Sequence, residues 1–391
     1  MHEPCTVVCS ILPPHILRKL ADRPELRDRI LRNIAITEQF RGVRKAFVAP
    51  TLLAQQPAPK RRTIFDSHNA TNLPGTEVRD EGGAPSADVA VNEAYDYSGD
   101  TYDFYLKVFN RNSVDDHGLT LTSSVHYDRG YDNAFWNGQR MIYGDGDGQY
   151  FQRFTICLDV IGHELTHGVT QNEAQLVYNG QPGALNESIS DVFGSLVKQW
   201  ANNQTVDQAD WLIGAGLFTN AVQGKALRSM SDPGTAYDDP NIGKDPQPGQ
   251  MSDYVNTTED NGGVHINSGI PNRAFYLAAK AIGGYAWQKT GLVWYRTLTG
   301  ALSPTADFQA MANATTTVAG SLFGQDGAEQ QAVRDAWNTV GVAPTASQFA
   351  ALTAAPKSTV AVGTAGPGGG EPLVGGVSAR SRRSHGKSKA R

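Results

Sequence analysis

One stretch limits the folds open to this chain more than any other: "DVIGHELTHGV", residues 159–169. Its apolar letters suit a buried helix, and a helix turns once in about 3.6 residues. His163 and His167 then stand one turn apart on one face, with Glu164 to the side and closer in angle to His167. An apolar core gains nothing from burying two imidazoles and a carboxylate, so the fold must bring them a partner. This HExxH pattern presents both histidines to one metal ion with the glutamate beside them. Zinc needs a third protein ligand, and a catalytic zinc keeps a fourth position open.

The segment "GALNESISDVFGSLV", 183–197, offers that ligand. It reads as a second helix with Asn186 and Glu187 near its start. Glu187 and Asp191 are four apart and share a face. If the two helices pack side by side, Glu187 completes a His-His-Glu set. Zinc-bound histidines usually donate their other N–H to an oxygen, which places Asp191 on His163 and Asn186 on His167. The competing reading makes Glu187 a helix-start carboxylate favoured by the dipole. A third segment, "DNGGVHINSG" (260–269), sets Asp260 five residues before His265 across a Gly-Gly turn. The carboxylate could orient and charge that imidazole; a cap or surface histidine is the plainer alternative. Tyr178, in "AQLVYNGQPG", is a further candidate or simple packing.

The rest of the chain is organised around these motifs. Its 391 residues are 40% hydrophobic, with 41 Gly and 20 Pro spread throughout, as in a globular protein of two domains or of one domain with appendages. No apolar run is long enough to span a bilayer. The start, "MHEPCTVVCSILPPHILRKLADR", has no basic region before its apolar stretch and is broken by prolines, unlike a signal peptide. Three cysteines, Cys5, Cys9 and Cys157, do not make a disulfide framework. Charge is segregated. Residues 1–62 hold 12 Lys/Arg against 5 Asp/Glu, and residues 351–391 hold 7 against 1. The intervening body holds 15 against 33, a net −18. An acidic body speaks against nucleic-acid binding. The basic ends read either as solvated tails or, for the first, as a segment docked on that body.

Residues 1–60 open with an amphipathic helix pattern, "PPHILRKLADRPELRDRILRN", and close in a Pro/Ala-rich basic linker. Residues 61–150 read as strands and turns. "LTLTSSVHY" (119–127) alternates like a half-buried strand. Asn137-Gly138 sits between two apolar-aromatic runs, a hairpin signal, and "YGDGDGQ" resembles part of a calcium loop but lacks the rest of its ligand set and reads as a tight turn. Helical periods follow around 153–169, 184–200, 268–282, 305–318 and 325–340. The end, 346–391, decays into Gly/Ala/Ser and a basic tail that composition marks as disordered.

"HELTHGVT", "GALNESISDVFG", "LRSMSDP" and "DNGGVHINSG", preceded by "SSVHYDRGYDNAFWNGQRMIYGDGDG", resemble the successive motifs of the thermolysin-like zinc metallopeptidases, over roughly residues 62–342. The resemblance implies an α+β architecture: a strand-rich N-terminal catalytic subdomain (61–152), a mainly helical C-terminal one (153–345), and a zinc cleft between them. It implies a zinc endopeptidase cutting internal bonds of peptides and proteins, in which His163, His167 and Glu187 bind one zinc and Glu164 is the general base. His265, oriented by Asp260, and Tyr178 would stabilise the oxyanion, and Arg228 would hold a substrate carbonyl. Asn133 and Ala134 match the edge strand that pairs with substrate. Phe154, Val160 and Leu227 match the apolar pocket after the scissile bond, implying cleavage before bulky hydrophobic residues; plain core packing is the alternative. Asp191 and Asn186 remain the residues behind the histidines.

Two features depart from the family. Asp159 and Asp210 match acidic positions of a paired calcium site, but Lys198, Leu212 and Ala215 hold the others. Lysine opposes calcium, so the paired site looks lost, with calcium elsewhere left open. The N-terminus "CSILPPHILRKLA" is similar to the short prosegment of the protealysin-like subgroup. That implies a zymogen, with 1–60 as an intramolecular inhibitor, its Pro-Pro element in or near the cleft, and a cut around 45–62, for instance at Phe47-Val48. Cys5 or Cys9 could cap the zinc as a thiolate, or both are ordinary reduced cysteines. The family habit is secretion; the missing signal pattern leaves a cytoplasmic alternative. A monomer without membrane association is expected. A peptidase scaffold turned binding protein, catalytically inactive, is the rival from a different class, and its signature would be the loss of Glu164, His265 or a zinc ligand.

Overall fold

The computed structural model describes residues 10–45 and 59–345. The expectations on Cys5, Cys9, Phe47-Val48 and the tail from 346 lie outside them. The architecture is α+β. Two helices open the chain: α1 (Pro14–Ala21) and α2 (Pro24–Lys45), both with proline in the first turn, where its missing N–H costs nothing. Then come β1 (Arg62–Asp66), β2 (Thr76–Asp80), helix α3 (Val89–Phe109), β3 (Leu121–Val125), β4 (Ala134–Trp136) and β5 (Met141–Tyr143). They form one sheet in the order β2-β1-β3-β5-β4, parallel at β1–β3–β5 and antiparallel at both ends. Strand β4 is therefore an edge.

The hairpin expected at Asn137-Gly138 is β4–β5, in register Ala134↔Tyr143 to Trp136↔Met141. Asn137 Oδ1 accepts the N–H groups of Gln139 and Arg140, and Gly138 takes the left-handed φ of 102° that the turn requires. In the tight turn behind it, Asp147 Oδ1 accepts three N–H groups, from Gln149, Tyr150 and Phe151.

Helix α3 corrects the reading of 61–150 as strands and turns. It runs 21 residues, capped by Asp88, whose side chain accepts from Ala90 N. Its buried face includes Ser98, Thr101 and three tyrosines, letters that score as polar or strand-forming and hide the helical period.

The second half is helical: α4 (Leu158–Asn172), α5 (Gly180–Ala201), α6 (Asp260–Asn267), α7 (Gly269–Ile282), α8 (Thr290–Gly300), α9 (Phe308–Phe323) and α10 (Ala328–Thr339). Two short ladders interrupt it, β6 (Leu212–Ile213) with β7 (Arg228–Ser229) and β8 (Asp238–Asp239) with β9 (Gly243–Lys244). Helices α4 and α5 pack very closely because Gly194 faces α4: a Cβ there would lie 2.4 Å from Asp159 O. That closeness sets the position of Glu187. One large apolar core runs through both halves, and a small second cluster gathers Tyr127, Tyr131, Phe135 and Ile142.

Candidate active site

Helices α4 and α5 bring His163, His167 and Glu187 together. Their ligand atoms all lie within 4.8 Å of one another, and all three side chains are buried. The two imidazoles meet edge-on with Nε2 atoms 3.0 Å apart, and each Nε2 is 3.5 Å from a Glu187 carboxylate oxygen. His163 Nδ1 lies 2.8 Å from Asp191 Oδ1, and His167 Nδ1 lies 2.9 Å from Asn186 Oδ1. With each Nδ1–H donating outward, each Nε2 keeps its lone pair turned to the common point. Ser190, which the sequence reading missed, adds a second contact to His167 Nδ1 at 3.0 Å. It lies one turn after Asn186, so the helix period could have found it.

The donor set fits zinc, and two orphaned atoms support it. Glu187 Oε2 and Glu164 Oε1 are buried without hydrogen-bond partners among the described residues, a costly arrangement unless something else meets them. Glu164 Oε2 is held by the backbone N–H of Trp136 at 2.9 Å, so the strand pins one oxygen and leaves the other free. Burial, with help from Glu187, pushes the Glu164 carboxyl up to about 8. Burial works against the charge on Glu187, but His265, His167 and His163 hold it well below the usual carboxylate range. His163 is likewise opposed by burial and still raised to about 9 by Asp191 and Glu187. The cluster thus favours positive charge, from a proton or from a metal.

A second layer fixes this one. Arg228, on β7, makes two bonds of 2.8 Å to the Asp191 carboxylate, and Asn272 Nδ2 adds one of 2.9 Å. Arg228 and His163 hold Asp191 at about 2 against the effect of its burial. Residues 260–263 are all left-handed, and Gly262 and Gly263 make that run affordable. The coil folds Asp260 back on His265, with Oδ1 2.6 Å from ring Nδ1 and Oδ2 accepting the backbone N–H at 2.9 Å. His265 Nε2 then points inward, 3.3 Å from Tyr178 Oη, whose hydroxyl also donates to Glu187 Oε1. Burial is overcome by Asp260 and Glu187, and the His265 pKa is raised.

A strand of the chain's own N-terminal segment lies across these groups. Ser10 pairs antiparallel with Phe135 on the β4 edge, and Ile11 N donates to Ala134 O at 3.2 Å. Leu12 N donates to Asn133 Oδ1 at 3.1 Å. His265 Nε2 is 3.0 Å from Ser10 O, and Arg228 Nη1 donates to Ile11 O at 3.1 Å. The Ser10–Ile11 peptide therefore crosses the site, just ahead of Pro13-Pro14, because only residues with free N–H groups can pair with an edge strand. Phe154, Val160 and Leu227 are buried in the same apolar core as Ile11 and Leu12.

Residues 55–171 match the family model described as thermolysin metallopeptidase, catalytic domain, and 174–342 match that of its alpha-helical domain. The chain belongs to the thermolysin metallopeptidase family. Among relatives, the extracellular metalloprotease of Pectobacterium carotovorum subsp. carotovorum is 51% identical over 348 residues, covering 86% of this chain and 96% of its own. Protease PrtS of a Photorhabdus strain is 51% identical over 284 residues, 72% of this chain and 76% of that one. Among solved structures, the precursor of protealysin, a metalloproteinase from Serratia proteamaculans, superposes with a TM-score of 0.78 at 54% identity, covering 86% of this chain and 100% of that one. The likeness to a precursor fits a family chain whose own N-terminal strand fills the cleft. No described helix is long and apolar enough to cross a membrane.

Proposed function

We propose that this zinc-dependent endopeptidase, made as a zymogen, cuts before bulky hydrophobic residues. The observation that carries the reading is the His163–His167–Glu187 convergence under a peptide in substrate register. His163, His167 and Glu187 would hold zinc, whose chemistry is Lewis acidity: it acidifies water and polarises an amide carbonyl. Glu164 uses its free Oε1 to take a proton from the attacking water and passes it to the leaving amine. His265, aimed by Asp260, donates with Tyr178 to the developing oxyanion, where Ser10 O now lies. Arg228 holds the carbonyl of the residue after the scissile bond, as it holds that of Ile11. Asn133 and Ala134 pair with the extended substrate. Ile11, fully buried, marks the pocket to which Phe154, Val160 and Leu227 contribute. Asp191 and Asn186 keep the two histidines turned.

Residues 1–60 act as the inhibitory prosegment, 61–152 and 153–345 as the two catalytic subdomains, and 346–391 as a tail. The enzyme works as a secreted monomer, in line with relatives named extracellular. Lys198 stands where a paired calcium site would need an acid, so no calcium pair forms there. The inactive-scaffold alternative finds no support, since Glu164, His265 and all three ligands are present. The test is to incubate the full chain with a blocked peptide, with and without a zinc chelator, and to follow internal cleavage and intact mass. Cleavage and prosegment loss that the chelator stops are expected. Zinc content without turnover once the prosegment is gone would overturn the reading.

A further inference from the structure

The cleft strand is only part of the prosegment's contact with the body. Helix α2 lies on a separate surface, and its contacts recur on one helical face. Arg29 bridges Asp132 at 2.8 Å and Asp147 at 2.7 Å, and Arg32 pairs with Asp128. Asn33 Nδ2 donates to Asp132 Oδ2, Thr37 Oγ1 meets Tyr131 Oη at 2.9 Å, and Phe40 packs on Tyr127 and Phe135 with centroids 5.9 and 4.8 Å apart. The aromatic floor is the small second cluster, apart from the main core.

This surface has more acceptor capacity than its present occupant uses. Asp128 Oδ2 and Asp132 Oδ1 are buried without hydrogen-bond partners among the described residues. It is also continuous with the active site. On β4, Ala134 and Trp136 belong to the main core, where the cleft strand and Glu164 are held. Phe135, between them, points into the second cluster. One strand thus presents the substrate edge and the floor under α2.

We propose that, once the prosegment leaves, this acidic-aromatic shelf is a recognition exosite for protein substrates bearing an arginine-containing amphipathic helix near the scissile bond. The inference rests on the endopeptidase reading above and adds a substrate preference to it. The shelf's carboxylates match guanidinium forks, and its rings match an aromatic at the helix position occupied by Phe40. Short peptides use the cleft alone; a substrate with such a helix holds both, which raises its effective concentration at the cleft.

The test uses the full chain after removal of its prosegment. Its substrates are a short blocked peptide alone and the same peptide joined by a flexible linker to a helix with the sequence of residues 24–40. The joined substrate should gain about tenfold or more in kcat/KM, through KM with kcat unchanged. Arg29→Glu with Arg32→Glu in the joined helix should abolish the gain. Asp128→Asn with Asp132→Asn in the enzyme should abolish it too, while the short peptide is cut as before. Asparagine suits the left-handed φ of 52° at Asp128. Equal rates for the two substrates overturn the proposal. Binding of the labelled helix, read by anisotropy, decides it separately if the short peptide is not cut. Binding without any gain in cleavage also overturns it, leaving the shelf as the seat of the prosegment alone.

Discussion

Two polar clusters lie along the pair of helices α4 and α5, one fully buried and one open to solvent at Asp210, and they are finished in opposite ways. At one end His163, His167 and Glu187 converge, and two carboxylate oxygens, Glu187 Oε2 and Glu164 Oε1, have no hydrogen-bond partner among the described residues. At the other end Asp159 and Asp210 also converge, but Lys198 Nζ stands between them, at 2.7 Å and 2.9 Å, and donates to Leu212 O at 2.7 Å. Burial opposes the charge on Lys198, yet Asp159 and Asp210 raise its pKa. One cluster is neutralised from within; the other needs a cation from outside. A buried charge needs a partner, and where the chain does not supply one the gap marks function.

The largest test of this contrast is to take the outside cation away. A zinc chelator should abolish peptide hydrolysis and lower Tm, and added zinc should restore both, since an ion that binds only the folded state stabilises it. The Lys198 cluster should not respond. Glu164→Gln should cost about 10²–10⁴ in kcat while zinc content, measured by metal analysis, stays at one per chain. Loss of zinc in that variant would make Glu164 a ligand rather than a base.

At the closed end the expected effect is on stability. Lys198→Met leaves two carboxylates facing each other without their cation and should cost about 3 kcal/mol in denaturant unfolding. Calcium should recover part of that loss in the variant and do little at this site in the parent. A parent chain stabilised equally by calcium would break the comparison.

The smallest effect belongs to a third cluster, which supplies its own cation in titratable form. His126 lies 2.8 Å from both Asp145 and Asp88. Bonding to Asp145 is the chief cause that raises its pKa to about 9, with burial opposing and Asp88 adding. A raised histidine pKa stabilises fully below the unfolded value, about 6.5, and the gain fades as pH climbs through about 9. His126→Gln should therefore cost on the order of 1 kcal/mol at pH 6 and progressively less toward pH 9. The Lys198 cluster should hold its stability over that window.

The local patterns were legible in the letters. The HExxH spacing, the shared face of Glu187 and Asp191, the Asp-before-His turn at 260–265 and the Asn-Gly hairpin each depend on residues a turn or two apart. Helix α3 was not legible, because its buried face carries Ser98, Thr101 and tyrosines. Nor was α8, whose "TGLVWYRTLTG" is rich in strand formers that only packing makes helical. The parallel pairing of β1 with β3 and β5 joins residues far apart in sequence, which no local period reports.

By itself the sequence determined the chemistry on offer: two imidazoles one turn apart, a carboxylate on a second helix, and a basic segment ahead of an acidic body. Those follow from helix geometry and charge, which are local or additive. Only the tertiary structure decided which groups stay unpaired. The close crossing at Gly194 sets Glu187 against both histidines, Trp136 N ties up one oxygen of Glu164 and spares the other, and Ser10–Leu12 takes the β4 edge. Pairing is a matter of distances between remote residues, and those exist only once the core has fixed where each backbone runs.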